Sequence, residues 1–316
     1  MLKYSLKRIL LVIPKILVIS FIIFFLMDLL PGDPLSRTIA PDTYHQLTEY
    51  QKNEMREAMG LNDSAVVRYF RWLFSILQGD LGYSVSTGQS IGTMVAVRLP
   101  ATIELNIFGI IIATMIGLVL GYLAAIFKGT AVDYVICGTA SVGQTLPTFF
   151  FAICWLMVFS ISLEWFPAGG RMNPMGGSRV PYMVLPIWTI VFGSVVSTVR
   201  SVRIFLLETM EKDYIKTARS KGLTETKVYV KHAFRNSLIP FMTVIIMRIP
   251  GIIGGSVLIE KVFNYTGIGM MGLEALSAGD YPVTLFSILI SSILIMIAGT
   301  MCDIATAALD PRVRLK

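Results

Sequence analysis

Charged residues, histidine and cysteine are all scarce in this sequence, and each scarcity excludes a class of chemistry. Only 15% of the 316 residues are charged, whereas a soluble domain typically carries about 25%. The two histidines, His45 and His232, form no His-x-x-x-His zinc pattern. The three cysteines lie inside apolar stretches without metal-ligand spacing, which is typical of small core side chains. A Gly-x-x-x-x-Gly-Lys-Ser/Thr phosphate loop is also missing, so we do not expect this chain to hydrolyse ATP.

Apolar residues take the place of the missing charge. They make up 54% of the chain, and the mean hydropathy is +0.70. A globule of this size has too little interior for so much apolar surface, so the excess must face lipid. The net charge of +7 comes from basic residues at the ends of apolar runs, which follows the positive-inside rule and argues against a nucleic-acid partner. The sequence therefore predicts an all-α integral membrane protein in a lipid bilayer.

Six segments meet the requirement of about 20 mostly apolar residues for a membrane-spanning helix. The first is longer than the core of a signal peptide and is not followed by a small-residue cleavage site, so we expect it to be retained. The third is long enough to tilt or to break at Pro147. The predicted spans are Ile9–Leu30, Ala101–Phe127, Tyr134–Leu163, Val180–Val202, Leu238–Glu260 and Pro282–Ala308.

The distribution of basic residues predicts the orientation of these spans. The head carries four basic residues, Lys3, Lys7, Arg8 and Lys15, with no acid among them, and the tail ends in three basic residues. The loop between the fourth and fifth spans carries eight basic residues against four acidic ones. The region between the first and second spans balances six basic residues against seven acidic ones. The positive-inside rule therefore places both termini and the loop between the fourth and fifth spans on the inner side of the membrane. It places the region between the first and second spans on the outer side.

The predicted outer region contains an amphipathic stretch, Val66–Leu77, in which Arg68 and Arg71 lie among aromatic residues. One interpretation is a helix that lies on the outer membrane surface or contacts an external partner. The alternative is a packed cap over the helix bundle. The sequence leaves both open.

The inner loop, residues 203–237, has the pattern of two short helices joined at a glycine. Asp213 is a suitable N-cap, Gly222 can end the first helix in the left-handed conformation, and Thr224 can cap a second helix that runs to about Arg235. A helix of about eight residues is marginal alone in water, so it needs a surface to dock on. It is either a plug for a socket on another protein or a basic loop near anionic lipid head groups.

The same loop resembles the cytoplasmic "EAA" loop of ABC importer membrane subunits. That pattern is Glu-Ala-Ala, any three residues, Gly, a spacer and Leu-x-Pro. This chain has Lys216–Ala218, Gly222 and Leu238–Pro240 at the corresponding places. The glutamate and the first alanine of the pattern are absent. Asp213–Ile215 ahead of Thr217-Ala218-Arg219 is similar to the version in dipeptide, oligopeptide and nickel importers. Further landmarks in matching order are Pro31–Pro34, Gly79–Gly82, Glu260–Phe263, Gly267–Gly269, Asp280–Val283, Asp303 and Asp310–Arg312.

The resemblance covers essentially the whole chain and implies a fold, a division of the chain and partners. The implied fold is that of a type I ABC importer permease, in a bacterial or archaeal cytoplasmic membrane. It divides the chain into an N-terminal transmembrane helix (1–30), an extracytoplasmic region (31–100) and a permease core with five spans (101–316). The implied partners are a homologous second permease, two cytoplasmic ABC ATPases and an external solute-binding protein. ATP and Mg would be bound by the ATPases, and no cofactor or metal by this chain.

In that family the first helix of the inner loop is the coupling helix, which fits a cleft on an ATPase. The residues that correspond here are Asp213, Tyr214, Thr217, Ala218, Arg219, Lys221 and Gly222. The implied cargo is a di- or oligopeptide, with nickel or a metal–metallophore complex as the alternative. A stand-alone secondary transporter is a more distant alternative, since the chain shows no internal symmetry or coupling-ion site. A membrane enzyme is disfavoured by the scarcity of histidine.

Three residues inside the predicted spans are candidates for the translocation path. A charge in a span costs several kcal/mol unless it is paired or hydrated, which draws attention to Arg248 in the fifth span and Glu104 in the second. Arg248 either meets an anionic group of the cargo or forms a buried pair with an acid such as Glu104 or with the partner permease. Pro147 either kinks a span that lines a moving path or is a tolerated break.

Overall fold

The computed structural model describes residues 2–29, 33, 35–39, 41–171 and 177–309. The side chains of residues 2, 3, 41, 142–145, 239, 248, 251–255 and 309 are not among those described. The described chain is almost entirely helical. Its helices are α1 (Leu2–Leu10), α2 (Val12–Asp28), α3 (Pro41–Gln46), α4 (Glu49–Ala58), α5 (Ala65–Leu77), α6 (Ile91–Ile126), α7 (Ala131–Thr145), α8 (Thr148–Trp155), α9 (Val180–Met210), α10 (Asp213–Ser220), α11 (Glu225–Lys227), α12 (Arg235–Gly255), α13 (Val257–Val262), α14 (Ile268–Ser277) and α15 (Tyr281–Leu309). A 3₁₀ turn covers Leu35–Arg37, and π-helical segments cover Leu156–Ser162 and Val228–Phe234.

Among the described residues, four helices are long and apolar enough to cross a membrane. They are Tyr4–Asp28, Ile91–Ile126, Val180–Met210 and Tyr281–Ala308. They coincide with the first, second, fourth and sixth predicted spans. The fifth predicted span contains α12 followed by α13, and part of it lies outside the described side chains. The total of six spans therefore stays a prediction.

The third predicted span is divided at Pro147. Helix α7 ends at Thr145, and α8 begins at Thr148. Leu146 has an extended backbone with ψ of 139°, as expected because a proline disfavours the helical conformation of the residue before it. A π-helical segment then continues α8 to Ser162. Of the two expectations for this span, a tilt or a break at Pro147, the structure shows the break.

The chain forms two compact units. The first consists of Met1–Ile9, Ile103–Tyr265 and Ile295–Lys316, and the second of Leu10–Thr102 and Thr266–Leu294. These units are defined by packing within the chain, so they leave the three-part division by membrane side untested.

Close packing of α6 on α9 organises the first unit. A Cβ at Gly117 would lie 2.3 Å from Thr198 Cγ2, and one at Gly121 would lie 2.8 Å from the Val199 carbonyl oxygen. Only glycine permits this approach, because real Cβ atoms essentially never show contacts under 3.0 Å. The Gly117-x-x-x-Gly121 spacing thus brings two helices together, as small residues do inside membranes.

Several ion pairs connect distant parts of the first unit, and two of them involve its long helices. Arg8 Nη1 donates to Asp303 Oδ2 at 2.7 Å, which places the start of the chain beside the last helix. This contact agrees with a common side for the head and the end of the sixth span. Which side that is stays a prediction. The second pair, Asp133–Arg203, lies next to the inner loop and is described with it below.

The second unit has an apolar core beside a buried carboxylate. Ile91, Val95, Ile268, Met271 and Phe286 form part of that core. Asp280 is 2% exposed and accepts hydrogen bonds from the hydroxyls of Ser84 at 2.5 Å and Ser86 at 2.8 Å. Burial would raise the pKa of the Asp280 carboxyl, but these hydrogen bonds outweigh it, so the pKa lies below its usual value. The segment after the Gly79–Gly82 motif is thereby fixed to the start of α15.

Candidate functional site: the inner loop

Helix α10 occupies the position predicted for the first loop helix. It begins at Asp213 and ends at Ser220. Two residues separate its start from the end of the long helix α9. The predicted N-cap is wrong by one residue: Lys212, with an extended backbone, is the cap, and Asp213 is the first helical residue. Asp213 still stabilises the helix start, since an acid in the first turn interacts favourably with the positive end of the helix dipole. Its carboxylate also accepts from Lys216 Nζ at 2.9 Å, and this hydrogen bond lowers the pKa of Asp213.

Gly222 ends α10 as the sequence predicts. Its φ is +74°, in the left-handed region. The Gly222 amide donates to the Arg219 carbonyl at 2.9 Å, and the Leu223 amide donates to the Ala218 carbonyl at 3.4 Å. No heavy atom lies within 4 Å of the place where a Cβ would be. Glycine is therefore needed here for its backbone conformation and not for space.

One face of α10 is docked on the rest of the first unit. Ile215 is fully buried and Ala218 is 6% exposed; their i, i+3 spacing puts them on the same side of the helix. They pack in one apolar cluster with Ala125 and Leu206, at the ends of α6 and α9, and with Val228. Ring contacts between Tyr122 and Phe234, 5.1 Å apart, flank the cluster. The marginal helix is thus held by its own chain.

The opposite face of α10 and the turn after it are exposed and polar, with three basic residues, Lys216, Arg219 and Lys221. Tyr214 is 45% exposed. Arg219 donates two hydrogen bonds to Glu225, from Nε at 2.8 Å and from Nη2 at 3.1 Å, and this pairing raises the pKa of the guanidinium. The exposed residues of α10 and the turn after it are Asp213, Tyr214, Lys216, Thr217, Arg219, Ser220, Lys221 and Gly222. All seven predicted coupling residues are therefore together, six of them on the exposed face or turn and Ala218 in the docked face.

The second predicted loop helix is not a separate element. Thr224 precedes α11 as its N-cap, as predicted, although its side chain makes no capping hydrogen bond. Helix α11 then continues without interruption through the π-helical segment Val228–Phe234 into α12. The prediction that this helix ends near Arg235 is wrong. The reason is that the apolar residues of the fifth span continue the helix directly from the loop.

The ion pair between Asp133 and Arg203 lies beside the inner loop and was not identified from the sequence. Asp133, near the start of α7, is 4% exposed. It accepts from Arg203 Nε at 2.8 Å and Nη2 at 2.7 Å, and from the Gly129 amide at 3.0 Å. Such bidentate pairing fixes both partners in position. It ties the start of α7 to the last turns of α9, from which the loop emerges.

The structure gives different information on the three residues predicted to line the translocation path. Glu104 accepts from Arg171 Nη2 at 3.3 Å, and its other oxygen lies 3.9 Å from Arg179 Nη1. The side chain of Arg248 is outside the described residues, although its backbone belongs to α12, so both interpretations of it stay open. Pro147 marks the break between α7 and α8. Their participation in a translocation path stays a prediction.

Comparisons with known proteins agree with this architecture. The family described as "Binding-protein-dependent transport system inner membrane component" matches residues 117–315, and the family for the N-terminal part of such components matches residues 1–106. The chain belongs to this family. It is therefore an inner membrane component of a transport system, and its apolar helices make it a multi-pass membrane protein.

Two curated relatives align with this inner membrane component over almost their whole length. "Oligopeptide transport system permease protein AppB" of Bacillus subtilis (strain 168) is 34% identical, with 98% of each chain covered. "Glutathione transport system permease protein GsiC" of Salmonella paratyphi A is 31% identical, with 100% of each chain covered.

Solved structures show the same fold for the inner membrane component. A chain from a structure of the MetNI methionine ABC transporter in an inward-facing conformation matches with a TM-score of 0.57 at 15% identity, covering 69% of this chain and 96% of that one. A chain from an amino acid ABC transporter structure matches with a TM-score of 0.55 at 10% identity, covering 69% of this chain and 94% of that one. The type I ABC importer permease fold predicted from the sequence is confirmed.

Proposed function

We propose that this chain is the permease subunit of an ATP-driven peptide importer in a bacterial cytoplasmic membrane, and that α10 with its Gly222 turn transmits the work of an ATPase. The observation that carries the proposal is the two-sided character of α10. Ile215 and Ala218 anchor one side to the ends of the long helices, while Tyr214 and the polar residues around it, three of them basic, are exposed on the other. A docked helix with one free face is suited to transmit movement from a partner to the spans.

The proposal assigns the chemistry of transport to more than one chain. This permease forms half of the path with a homologous second permease, an external binding protein delivers cargo, and two cytoplasmic ATPases bind ATP and Mg. The chain itself supplies no phosphate loop. The family's description as the membrane component of a binding-protein-dependent system supports this division.

The proposed cargo rests on the named relatives. One is named for oligopeptides and the other for glutathione, itself a tripeptide. Both align with 98% or more of this chain, which favours a peptide over nickel or a metallophore.

Cross-linking tests the position of α10. In a variant whose three native cysteines are replaced, Tyr214→Cys and Lys221→Cys each report on the exposed side of the loop. We expect both, when labelled with a thiol-reactive photo-cross-linker, to cross-link to an ATPase subunit in the purified complex. Lys231→Cys, which is also exposed but lies beyond the turn, is the matched control and should cross-link less.

Transport by the reconstituted complex tests the function as a whole. We expect di- to oligopeptides, presented with the binding protein, to stimulate ATP hydrolysis, and nickel to have no effect. Uptake by the chain without any ATPase, or labelling of Tyr214→Cys from the outer side of intact cells, would overturn the proposal.

A further inference from the structure

Helix α5 has one face that the described chain leaves uncovered, and that face is apolar. At about 100° per residue, its members fall within an arc of about 100° on the helix surface. Phe70 is 59% exposed, Phe74 is 63% exposed and Leu77 is 75% exposed. We call this set the outer stripe, and it consists of Val66, Val67, Phe70, Phe74 and Leu77.

A different face of α5 packs on α2. Tyr69 is 3% exposed, and its ring contacts Phe21 at 5.2 Å and Phe24 at 5.6 Å. Its Oη lies 2.9 Å from Ser20 Oγ and donates to the Leu17 carbonyl at 3.2 Å. The two helices are therefore fixed to each other by aromatic contacts and by hydrogen bonds.

These hydrogen bonds determine how deep α5 lies in the membrane. The first candidate span, Tyr4–Asp28, has 25 residues, whereas a hydrocarbon core of about 30 Å holds about 20 residues at 1.5 Å each. Whichever 20 consecutive residues of the span lie in hydrocarbon, Ser20 is among them. The hydroxyl of Tyr69 therefore reaches hydrocarbon depth, while Arg68 of the same helix pairs with Asp28 at the end of the span, so α5 lies near that end.

The surroundings of the outer stripe also agree with a position of α5 near the edge of the bilayer. The span beside it exposes apolar side chains, with Ile22 49% and Leu26 59% exposed, so the stripe continues a surface that faces lipid. On its polar flank, Arg68 pairs with both oxygens of Asp28 at 2.8 Å. That flank borders a cavity of about 460 Å³ whose wall includes Arg68, Arg71 and Trp72. Arginine and tryptophan beside an apolar stripe are typical of helices in the membrane interface.

We propose that α5 is an interfacial helix whose outer stripe inserts into the acyl region of the outer lipid leaflet. The occupant of the stripe is phospholipid, and the polar flank with its cavity faces the head-group layer. The helix is thus a lateral anchor that holds the outer end of the first span, and the stripe is not a binding surface for a protein. This inference is independent of the cargo and of the role of α10.

Environment-sensitive labels on the full chain in lipid nanodiscs test the depth of the stripe. A fluorophore at Phe70→Cys, in a variant without the native cysteines, should emit to the blue of the same label at Glu54→Cys. Glu54 is an exposed residue of α4 in the same unit and is the matched control. Lipids with a nitroxide near the top of the acyl chain should quench the Phe70 label as strongly as a label at Ile22→Cys. Phe70 is 59% exposed, so its replacement removes little beyond its edge contact with the Tyr69 ring at 5.2 Å.

Photo-cross-linking identifies the occupant directly. A benzophenone side chain in place of Phe74, activated in native membranes, should give a mass increase equal to that of a phospholipid. Emission and quenching at Phe70→Cys equal to those at Glu54→Cys would overturn the proposal. So would a cross-link from position 74 to a second permease or a binding protein in place of lipid.

Discussion

Arg219 and Glu225 form a two-point ion pair across the Gly222 turn, which connects the end of α10 to the start of α11. Their side chains are 41% and 58% exposed, so water screens the pair, and we expect a coupling energy of about 0.2–1 kcal/mol. A double-mutant cycle with Arg219→Gln and Glu225→Gln, read by hydrogen exchange of the α10 amides, measures it. The coupling should shrink at high salt. A coupling that is large and independent of salt would contradict this description of the pair.

Gly222→Ala should weaken coupling to the ATPase without unfolding the chain. A left-handed alanine costs about 1 kcal/mol, which shifts the population of the turn about fivefold. The measurement is peptide-stimulated ATP hydrolysis by the reconstituted complex. Gly88→Ala is the matched control, because Gly88 also has a positive φ, +68°, and no heavy atom within 4 Å of its Cβ position. Equal losses in both variants would show that strain alone, and not the position of the turn, causes the defect.

The two faces of α10 should respond differently to truncation. Ile215→Ala removes a fully buried side chain and should cost about 2–5 kcal/mol of local stability, which would appear as faster hydrogen exchange in α10. Tyr214→Ala removes a half-exposed ring and should leave exchange unchanged while lowering the amount of ATPase that copurifies. Unfolding of α10 by Tyr214→Ala would contradict the assignment of its faces.

Asp133→Asn should be strongly destabilising. It leaves Arg203 without its charge partner, and because the Arg203 side chain is 26% exposed we expect a loss of about 1–3 kcal/mol. The measurement is the thermal unfolding of the purified chain in detergent. Arg200→Gln is the control, since Arg200 is exposed and lies one turn earlier on the same helix. Similar melting temperatures for both variants would show that the Asp133–Arg203 pair contributes little.

The second unit should lose stability in acid through Asp33. The hydrogen bond from Arg56, with further ones from Leu35 and Tyr44, lowers the pKa of Asp33 from 3.8 to about 2. Because the folded pKa is lower than the unfolded one, this contribution is complete above pH 3.8 and is lost as the pH falls towards 2. As the pH falls from 3.8 towards 2, the rate of proteolysis of the second unit should rise more steeply in the parent chain than in Asp33→Asn. Parallel pH profiles would contradict this role.

Much of the fold could be predicted because membrane-spanning helices depend mainly on the length and polarity of a segment. The break at Pro147 and the left-handed Gly222 were also predictable, since each follows from the backbone restrictions of a single residue type. The docked face of α10 had a signal in the i, i+3 spacing of Ile215 and Ala218, but a two-residue pattern is too short to be decisive.

What could not be predicted depends on contacts between distant residues. Asp133 and Arg203 are 70 residues apart, and nothing local in either segment indicates the other. Tyr69 likewise meets Ser20 only because α5 folds back on α2. The error at Asp213 has a different origin: Lys212 takes the cap position through its backbone alone, without a side-chain hydrogen bond, so side-chain preferences gave no signal for it.

The helix from Glu225 to Gly255 runs without a break from the loop into the fifth predicted span. At about 1.5 Å per residue it extends for about 45 Å. It is not a uniform rod, because helices bend at π-helical segments such as Val228–Phe234 and at internal prolines such as Pro240 and Pro250. A displacement of the loop is therefore divided between a tilt of the whole helix and bending at these points.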